Sequence, residues 1–210
     1  PSAQLGGDAF GYYWLDPETF VFYLIDVSGH GAGSAMHSVT VLNLLRQRAL
    51  PQVNFENPAE VLASLNARFQ MDAHSELFFT MWYGVYRIGD RSLTYGSAGH
   101  HPAYLVLPDK RAARPLGIPA MMIGAMPELT CEVQQEFIPA GGSVYLFSDG
   151  VFEIVSTDKK RWTLTDFEPL LLEPTLPGIG ESDRLYQGVK RTTGPGPLDD
   201  DASLLVLTFP

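Results

Sequence analysis

The most informative segment of the sequence is Asp26-Val27-Ser28-Gly29-His30-Gly31. It follows the apolar residues 20–25, which predict a buried strand, and it precedes residues 31–50, whose apolar spacing predicts a helix. An aspartate at the end of a buried strand is costly without a partner such as a cation. The glycines that follow allow main-chain atoms to approach that partner closely. The segment therefore predicts a strand-to-helix junction whose carboxylate binds a cation.

Three further segments place aspartate at a predicted strand end or turn. They are Gly6-Gly7-Asp8, Ser148-Asp149-Gly150 and Asp199-Asp200-Asp201. Each alone is most simply a turn, a cap or a solvated loop. However, Asp26 and Asp149 both end apolar strands and Asp200 precedes another, so their carboxylates converge if these strands are central and adjacent.

Carboxylates grouped in this way repel one another unless cations lie between them. Oxygen ligands without a histidine or cysteine pattern favour Mg²⁺ or Mn²⁺ over Zn²⁺. Two such ions about 4 Å apart can activate a water molecule and bind a phosphoryl oxygen. Taken together, the aspartates therefore indicate a two-ion site suited to phosphoryl chemistry.

The composition is that of an acidic globular protein. The 210 residues carry a formal net charge of −10 and 45 % are apolar, which supports one large domain, or two small ones, with a sizeable core. The acidic charge disfavours nucleic acid as a partner. With one cysteine, Cys131, a disulfide framework is excluded and a reducing, cytoplasmic location is expected. No apolar run reaches the roughly 18 residues of a membrane span, and no signal-peptide pattern is present.

Hydrophobic periodicity and turn residues predict an α+β chain. The predicted helices cover residues 31–50, 57–69, 164–172 and 179–191. The predicted strands cover residues 10–15, 19–25, 77–88, 92–97, 104–107, 131–138, 144–147 and 203–209. Residues 131–138 and 144–147 are predicted to form a hairpin across Ala140-Gly141-Gly142. Strands dominate both ends of the chain and helices come in pairs, which indicates antiparallel sheets flanked by helices.

Six segments, in order, resemble the metal-dependent protein phosphatases of the protein phosphatase 2C fold, and in particular their bacterial SpoIIE/RsbU-like branch. The segments are Pro1-Ser2-Ala3-Gln4-Leu5-Gly6-Gly7-Asp8, Asp26-Val27-Ser28-Gly29-His30-Gly31, Gly96-Ser97-Ala98-Gly99-His100-His101-Pro102, Pro115-Leu116-Gly117, Phe147-Ser148-Asp149-Gly150-Val151 and Asp200-Asp201-Ala202-Ser203. The resemblance covers essentially the whole chain, so it implies a single domain over residues 1–210. Because the sequence starts with Pro1, we expect this domain to come from a longer multidomain signalling protein.

The resemblance implies an αββα sandwich, in which two antiparallel sheets are flanked by paired helices, with two Mn²⁺ or Mg²⁺ ions. Asp26 would bridge the ions, and the carbonyl of Val27 would bind the first. Asp149 and Asp200 would hold the second, and Asp8 would lie near the first, directly or through water. The implied reaction is hydrolysis of phosphoserine or phosphothreonine by a metal-activated water.

The chain departs from the family pattern at two places. Many bacterial relatives carry a second aspartate three residues after the first, where this chain has Gly11, so weaker binding of the first ion is expected. Eukaryotic members have a candidate acid, histidine, two residues after the bridging aspartate, where this chain has Ser28. His30 lies two residues further on, and for it a structural and a functional role are equally open. His100 and His101 are expected to be structural.

Two functions remain open from the sequence. The first is an enzyme acting on a phosphorylated protein such as an anti-sigma-factor antagonist, with a homodimer formed through the full-length protein. The second is an inactive phosphatase-like output or adaptor domain of a response regulator that only binds a partner. The presence of Asp8, Asp26, Asp149 and Asp200 favours the enzyme. A plain structural α+β domain would leave the aligned acids as coincidence.

Overall fold

The computed structural model describes residues 6–71 and 77–210, so the first five residues of the first motif lie outside the described residues. Within these ranges the chain forms nine strands and four helices. The helices are Ala32–Arg46 (α1), Pro58–Arg68 (α2), Leu164–Leu172 (α3) and Glu181–Thr193 (α4). The strands are Ala9–Trp14 (β1), Thr19–Val27 (β2), Phe79–Arg87 (β3), Ser92–Ala98 (β4), Ala103–Val106 (β5), Ala113–Leu116 (β6), Gln134–Phe137 (β7), Ser143–Phe147 (β8) and Leu204–Thr208 (β9).

The strands form two sheets, with the order β1-β2-β3-β4-β7 in one and β6-β5-β8-β9 in the other. The chain divides into two compact units that follow this division. Among the described residues, the five-stranded unit comprises 6–71, 77–102 and 116–138, and the four-stranded unit comprises 103–115 and 139–210. In the described residues, no helix has both the length and the apolar character needed to cross a membrane.

The predicted hairpin between residues 131–138 and 144–147 is wrong, because the two strands lie in different sheets. β7 pairs with β4, whereas β8 pairs with β5 and β9. The glycines between them bond to the end of the chain: the Gly141 N–H donates to the Phe209 carbonyl at 2.7 Å, and the Phe209 N–H donates to the Gly142 carbonyl at 2.9 Å. The turn residues were therefore identified, but their partner is the C-terminal strand.

In the five-stranded unit, one face of the sheet packs against α1, which contacts β1 and β2, and against α2, which contacts β3 and β4. Alternate β2 residues (Val21, Tyr23, Ile25 and Val27) join one apolar cluster, as the two-residue period of a strand requires. The helices contribute Val41, Leu45, Val61, Leu62 and Leu65 to this cluster. Helix α2 begins as predicted, because the Asn57 side chain accepts a hydrogen bond from the Ala59 N–H at 3.1 Å and proline follows it.

Helix α1 buries a different face from the one its apolar residues predict. Met36 and Val39 belong to the apolar spacing that predicts this helix, but they are 71 % and 54 % exposed. The buried face includes Ser34 and Ser38 instead. The Ser34 hydroxyl donates to the Ser28 carbonyl at 3.0 Å and the Ser38 hydroxyl to the Ser34 carbonyl at 2.8 Å, so both can be buried without losing a hydrogen bond. The helix also ends at Arg46, before the predicted end at Leu50.

Gly11 of β1 lies opposite Tyr23 of β2, and the tyrosine fills the space that a side chain at position 11 would occupy. A Cβ atom placed on Gly11 would lie 2.4 Å from the Tyr23 hydroxyl oxygen. This is the face that packs against the helices, since Tyr23 belongs to their apolar cluster. Because alternate residues of a strand point to opposite faces, position 11 and position 8 lie on opposite sides of the sheet.

In the four-stranded unit, the buried Arg184 belongs to a hydrogen-bond network centred on Glu181 of α4. Arg184 is only 1 % exposed, and its guanidinium donates to both carboxylate oxygens of Glu181, at 2.9 and 2.6 Å. Glu181 also accepts hydrogen bonds from Lys110 and, at 2.9 Å, from the Tyr145 hydroxyl. Burial raises the pKa of Glu181, but the bonds from Arg184, Lys110 and Tyr145 outweigh it and lower the pKa to about 2.

The Glu181 network predicts a pH-dependent stability. Its pKa lies below the roughly 4.3 of an unfolded glutamate, so the network stabilises the fold above that pH and loses this contribution as the pH falls toward 2. We expect Glu181→Gln to lower the free energy of unfolding at pH 7 by about 2–3 kcal/mol. In urea unfolding, this deficit should shrink between pH 5 and pH 2. The exposed Glu56–Arg87 pair supplies the control, since Glu56→Gln should cost less than about 1 kcal/mol. An equal Glu181→Gln deficit at pH 7 and pH 2.5 would contradict the prediction.

The Gly11–Tyr23 contact predicts a second effect on stability. Gly11→Ala should lower the free energy of unfolding by about 1–3 kcal/mol, because the added methyl group overlaps the Tyr23 ring. Gly33→Ala is the matched control: a Cβ atom there meets nothing within 4 Å, and the helical position should gain up to about 1 kcal/mol. Thermal and urea unfolding would measure both variants, and equal stabilities would refute the steric explanation.

Candidate functional site

Two of the predicted site residues, Asp8 and Asp26, meet in the five-stranded unit. β1 and β2 are antiparallel with Ala9 opposite Ile25, so the same register continued by one residue sets Asp8 opposite Asp26. Residues opposed in this way have Cβ atoms about 4.5–5.5 Å apart on one face of the sheet. Both side chains are half-buried. The unit therefore brings two carboxylates together where β2 ends.

The main chain after Asp26 is held firmly. The Ser28 N–H donates to the Phe78 carbonyl at 3.0 Å, and the Ser28 hydroxyl accepts from the Phe78 N–H at 3.2 Å. On the other side, Gly7 lies against Val27: a Cβ atom on Gly7 would come within 2.4 Å of the Val27 carbonyl oxygen. Only glycine at position 7 therefore allows the two segments to approach this closely. The carbonyl predicted to bind a metal thus has a fixed position and a cradle that only glycine provides.

His30 lies in the turn between β2 and α1. Its neighbours Gly29 and Gly31 have φ angles of 77° and 97°, which residues with a side chain rarely adopt. The glycines therefore shape the turn, and the His30 side chain is exposed. This position gives no support to a role as the catalytic acid.

The other two predicted residues, Asp149 and Asp200, meet in the four-stranded unit. Phe147 at the end of β8 lies opposite Leu204 at the start of β9, so Asp149 and Asp200 lie near the same end of this strand pair. Burial raises the pKa of Asp149, and the charges of Asp200 and Glu153 raise it further. A cation beside these groups would offset both effects.

A glycine also allows the close packing of this second pair. Asp149 begins a single 3₁₀ turn that ends at Val151. A Cβ atom on Gly150 would lie 1.9 Å from the Asp201 carbonyl oxygen, so only glycine lets the turn approach the acidic loop. Gly150 is therefore required by packing, whatever ligand Asp149 binds.

The aspartates lie two in each unit. Their convergence was expected on the condition that their strands are adjacent in one sheet, and this condition is not met, because β2 lies in the five-stranded sheet and β8 and β9 lie in the other. Across residues 6–71 and 77–210, no three His, Cys, Asp or Glu side chains are grouped to hold a metal ion. Each pair supplies oxygen ligands only, which is the chemistry that Mg²⁺ and Mn²⁺ prefer.

The histidine motif is explained by packing within the five-stranded unit. His100 is buried, and this burial is the main cause that lowers its pKa well below the usual value. The charge of the neighbouring His101 lowers the pKa further, so the His100 ring is neutral at pH 7. The His100 carbonyl accepts a hydrogen bond from the Ser97 hydroxyl at 3.0 Å. Gly99 has φ 70°, and a Cβ atom there would lie 2.8 Å from Met122. These contacts agree with the structural role expected for the motif.

Sequence reasoning missed two residues beside the predicted ligands. Ser148 is fully buried between Phe147 and Asp149, and its hydroxyl accepts the Ser203 N–H at 2.9 Å. Glu153 contributes charge at Asp149, four residues earlier in the chain. Serine and glutamate near an Asp–Gly turn were visible in the sequence. Their partners follow only from the β8–β9 pairing.

Known proteins resemble this chain in both sequence and fold. Phosphoserine phosphatase RsbP of Bacillus subtilis (strain 168) is 30 % identical over 156 residues, covering 72 % of this chain and 38 % of RsbP. Phosphoserine phosphatase RsbU of the same organism is 26 % identical over 153 residues, covering 73 % of this chain and 44 % of RsbU. The chain thus spans less than half the length of these curated relatives.

Among solved structures, the SiaA-PP2C domain of Pseudomonas aeruginosa superposes with a TM-score of 0.84 at 18 % identity, covering 98 % of this chain and 82 % of that one. This likeness confirms the predicted fold class, an α+β sandwich with two antiparallel sheets and flanking helices. Residues 16–210 match the family model described as Stage II sporulation protein E (SpoIIE). The chain therefore belongs to the SpoIIE family of PP2C-like phosphatase domains.

Proposed function

We propose that residues 1–210 form the catalytic domain of a metal-dependent protein serine/threonine phosphatase, and that this domain belongs to a longer multidomain signalling protein. Two curated relatives are named phosphoserine phosphatases, and phosphatases of the PP2C family are metal-dependent. The observation that supports the proposal most directly is the meeting of Asp149 and Asp200, whose charges disfavour each other unless a cation is present.

The proposed ligands follow the two pairs. Asp8, Asp26 and the Val27 carbonyl would bind one Mn²⁺ or Mg²⁺ ion, and Asp149 and Asp200 would bind a second. When bound, such ions supply an activated water and neutralise charge on a phosphoryl group. The donor set fits these ions, because every proposed ligand is an oxygen.

The protein's own part in the reaction is to position charge. The two hydrogen bonds between Ser28 and Phe78 fix the main chain that carries the Val27 carbonyl. The pairing of β8 with β9 fixes the spacing of Asp149 and Asp200. Neither role needs a nucleophilic side chain, which fits direct transfer of the phosphoryl group to water.

The proposed substrate is a phosphorylated protein of the anti-sigma-factor antagonist type. The acidic composition argues against nucleic acid, and the proposed location is the cytoplasm, without membrane contact by this domain. A homodimer would form through the full-length protein. The alternative, an adaptor domain that binds a partner without catalysis, is not favoured, because the four predicted acids are all present and the curated relatives are named as enzymes.

Removal of a proposed ligand should abolish activity. Asp26→Asn and Asp149→Asn should each lower kcat/KM for Mn²⁺-dependent hydrolysis of p-nitrophenyl phosphate by more than about 100-fold, since even outer-shell changes at metal sites cost 10–100-fold. Asp16→Asn is the control: Asp16 lies in the exposed β1–β2 turn, where its side chain accepts N–H bonds from Glu18 and Thr19 that asparagine retains. Its activity should stay within about twofold.

Two results would overturn the assignment. Full activity in the presence of a chelator, or in Asp149→Asn, would exclude the proposed metal-dependent reaction. Absence of Mn²⁺ binding by the wild-type chain in calorimetry would favour the adaptor function.

A protein substrate should be preferred over a peptide. We expect kcat/KM for a folded, serine-phosphorylated antagonist to exceed that for a short phosphopeptide of the same sequence by about tenfold or more, because contacts remote from the phosphate can stabilise the transition state. Release of inorganic phosphate would measure both rates, with Asp149→Asn as the blank for contaminating phosphatase. Equal rates on the two substrates would argue against recognition of the folded partner.

A further inference from the structure

The side chain of Ser148 joins the two segments that carry Asp149 and Asp200. Its hydroxyl accepts a hydrogen bond from the Ser203 N–H at 2.9 Å and makes a longer contact of 3.4 Å with the Asp201 carbonyl. The main chain adds a further link, since the Ser148 N–H donates to the Ser203 carbonyl at 3.1 Å. Ser148 itself is fully buried, and loss of these partners would leave its polar groups unsatisfied, which is costly.

The hydrogen bonds between Ser148 and residues 201–203 are called the clasp below. The loop that carries Asp200 needs such a restraint. Asp200 is exposed and lies in a loop, before the regular pairing of β9 begins at Leu204. Asp200 and Asp149 carry like negative charges, so repulsion between them tends to move the loop away from Asp149. The close contact of Gly150 with the Asp201 carbonyl oxygen requires the loop to stay in place. The Ser148 hydroxyl is the side-chain group that bonds both the Asp201 carbonyl and the Ser203 N–H.

We propose that Ser148 is a positioning residue, whose hydroxyl clasps residues 201–203 and so keeps the Asp149 and Asp200 carboxylates within reach of one cation before the cation binds. This inference rests on the proposed function, which makes these aspartates ligands. Ser148 itself touches neither the cation nor the substrate. It acts by lowering the cost of bringing two like charges together when the ion arrives.

The test is the Mn²⁺ affinity of Ser148→Ala, measured by calorimetry in the absence of substrate. Outer-shell partners of metal ligands typically contribute 10–100-fold to affinity, and we expect a loss in that range. Ser203→Ala is the matched control, because Ser203 enters the clasp through its main-chain N–H and carbonyl. It removes a hydroxyl from the same loop and should change the affinity less than about twofold.

A double variant separates positioning from general destabilisation. If Ser148 acts through Asp200, then adding Ser148→Ala to Asp200→Asn should weaken Mn²⁺ binding by less than about twofold further, because the carboxylate to be positioned is already absent. A full, additive loss in the double variant would overturn the proposed link. An unchanged Mn²⁺ affinity in Ser148→Ala would overturn the inference and leave the proposed function intact. If the wild-type chain binds no Mn²⁺, the proposed function fails, and the inference fails with it.

A measurement on the wild-type chain keeps the inference testable even if Ser148→Ala does not fold. In metal-free protein, the Ser203 amide should exchange its hydrogen at least about 100-fold more slowly than an unstructured amide, because the clasp is formed before the ion binds. Nuclear magnetic resonance would measure this rate. Exchange at the unstructured rate without metal would overturn the inference.

Discussion

The cost of burying a carboxylate is the constraint on which the local structure depends. Two acidic side chains of the four-stranded unit meet it in opposite ways. Glu181 is neutralised from within by Arg184 and Lys110, and its pKa falls to about 2. At Asp149, burial and the charge of Asp200 raise the pKa. The first arrangement is complete and stabilises the fold, whereas the second leaves negative charge that an external cation can balance.

The same main-chain arrangement, a glycine packed against a carbonyl oxygen and a serine that accepts a main-chain N–H, occurs at both aspartate pairs. In each unit a glycine lies against a carbonyl oxygen, Gly7 against Val27 and Gly150 against Asp201. In each, a serine next in sequence to a proposed ligand accepts a main-chain N–H from a neighbouring segment: Ser28 from Phe78 and Ser148 from Ser203. Small residues thus provide close approach, and hydroxyl groups provide the hydrogen bonds that hold it.

Local signals in the sequence predicted most of the secondary structure, because the relevant interactions are local. Helix α3 was predicted with its observed bounds, and the Asn57–Pro58 start of α2 was read from its cap. The predictions failed where the outcome depends on distant partners. The glycines after β7 bond to Phe209, which lies far along the chain. The prediction for the buried face of α1 failed for a different reason: the Ser34 hydroxyl bonds to the Ser28 carbonyl six residues earlier, and a pattern of apolar residues does not show that a serine can be buried in this way. Likewise, motifs identified the aspartates, but only strand register pairs Asp8 with Asp26 and Asp149 with Asp200.

The contact between Gly11 and Tyr23 has a consequence for how this sequence can change. A larger residue at position 11 cannot be introduced alone, since the tyrosine ring already occupies that space. Replacing Tyr23 alone by a smaller residue would leave a cavity in the cluster beneath the helices. Each single step is therefore harmful, while the two together can be tolerated. The pair behaves as one epistatic unit, and engineering of this strand has to exchange both residues at once.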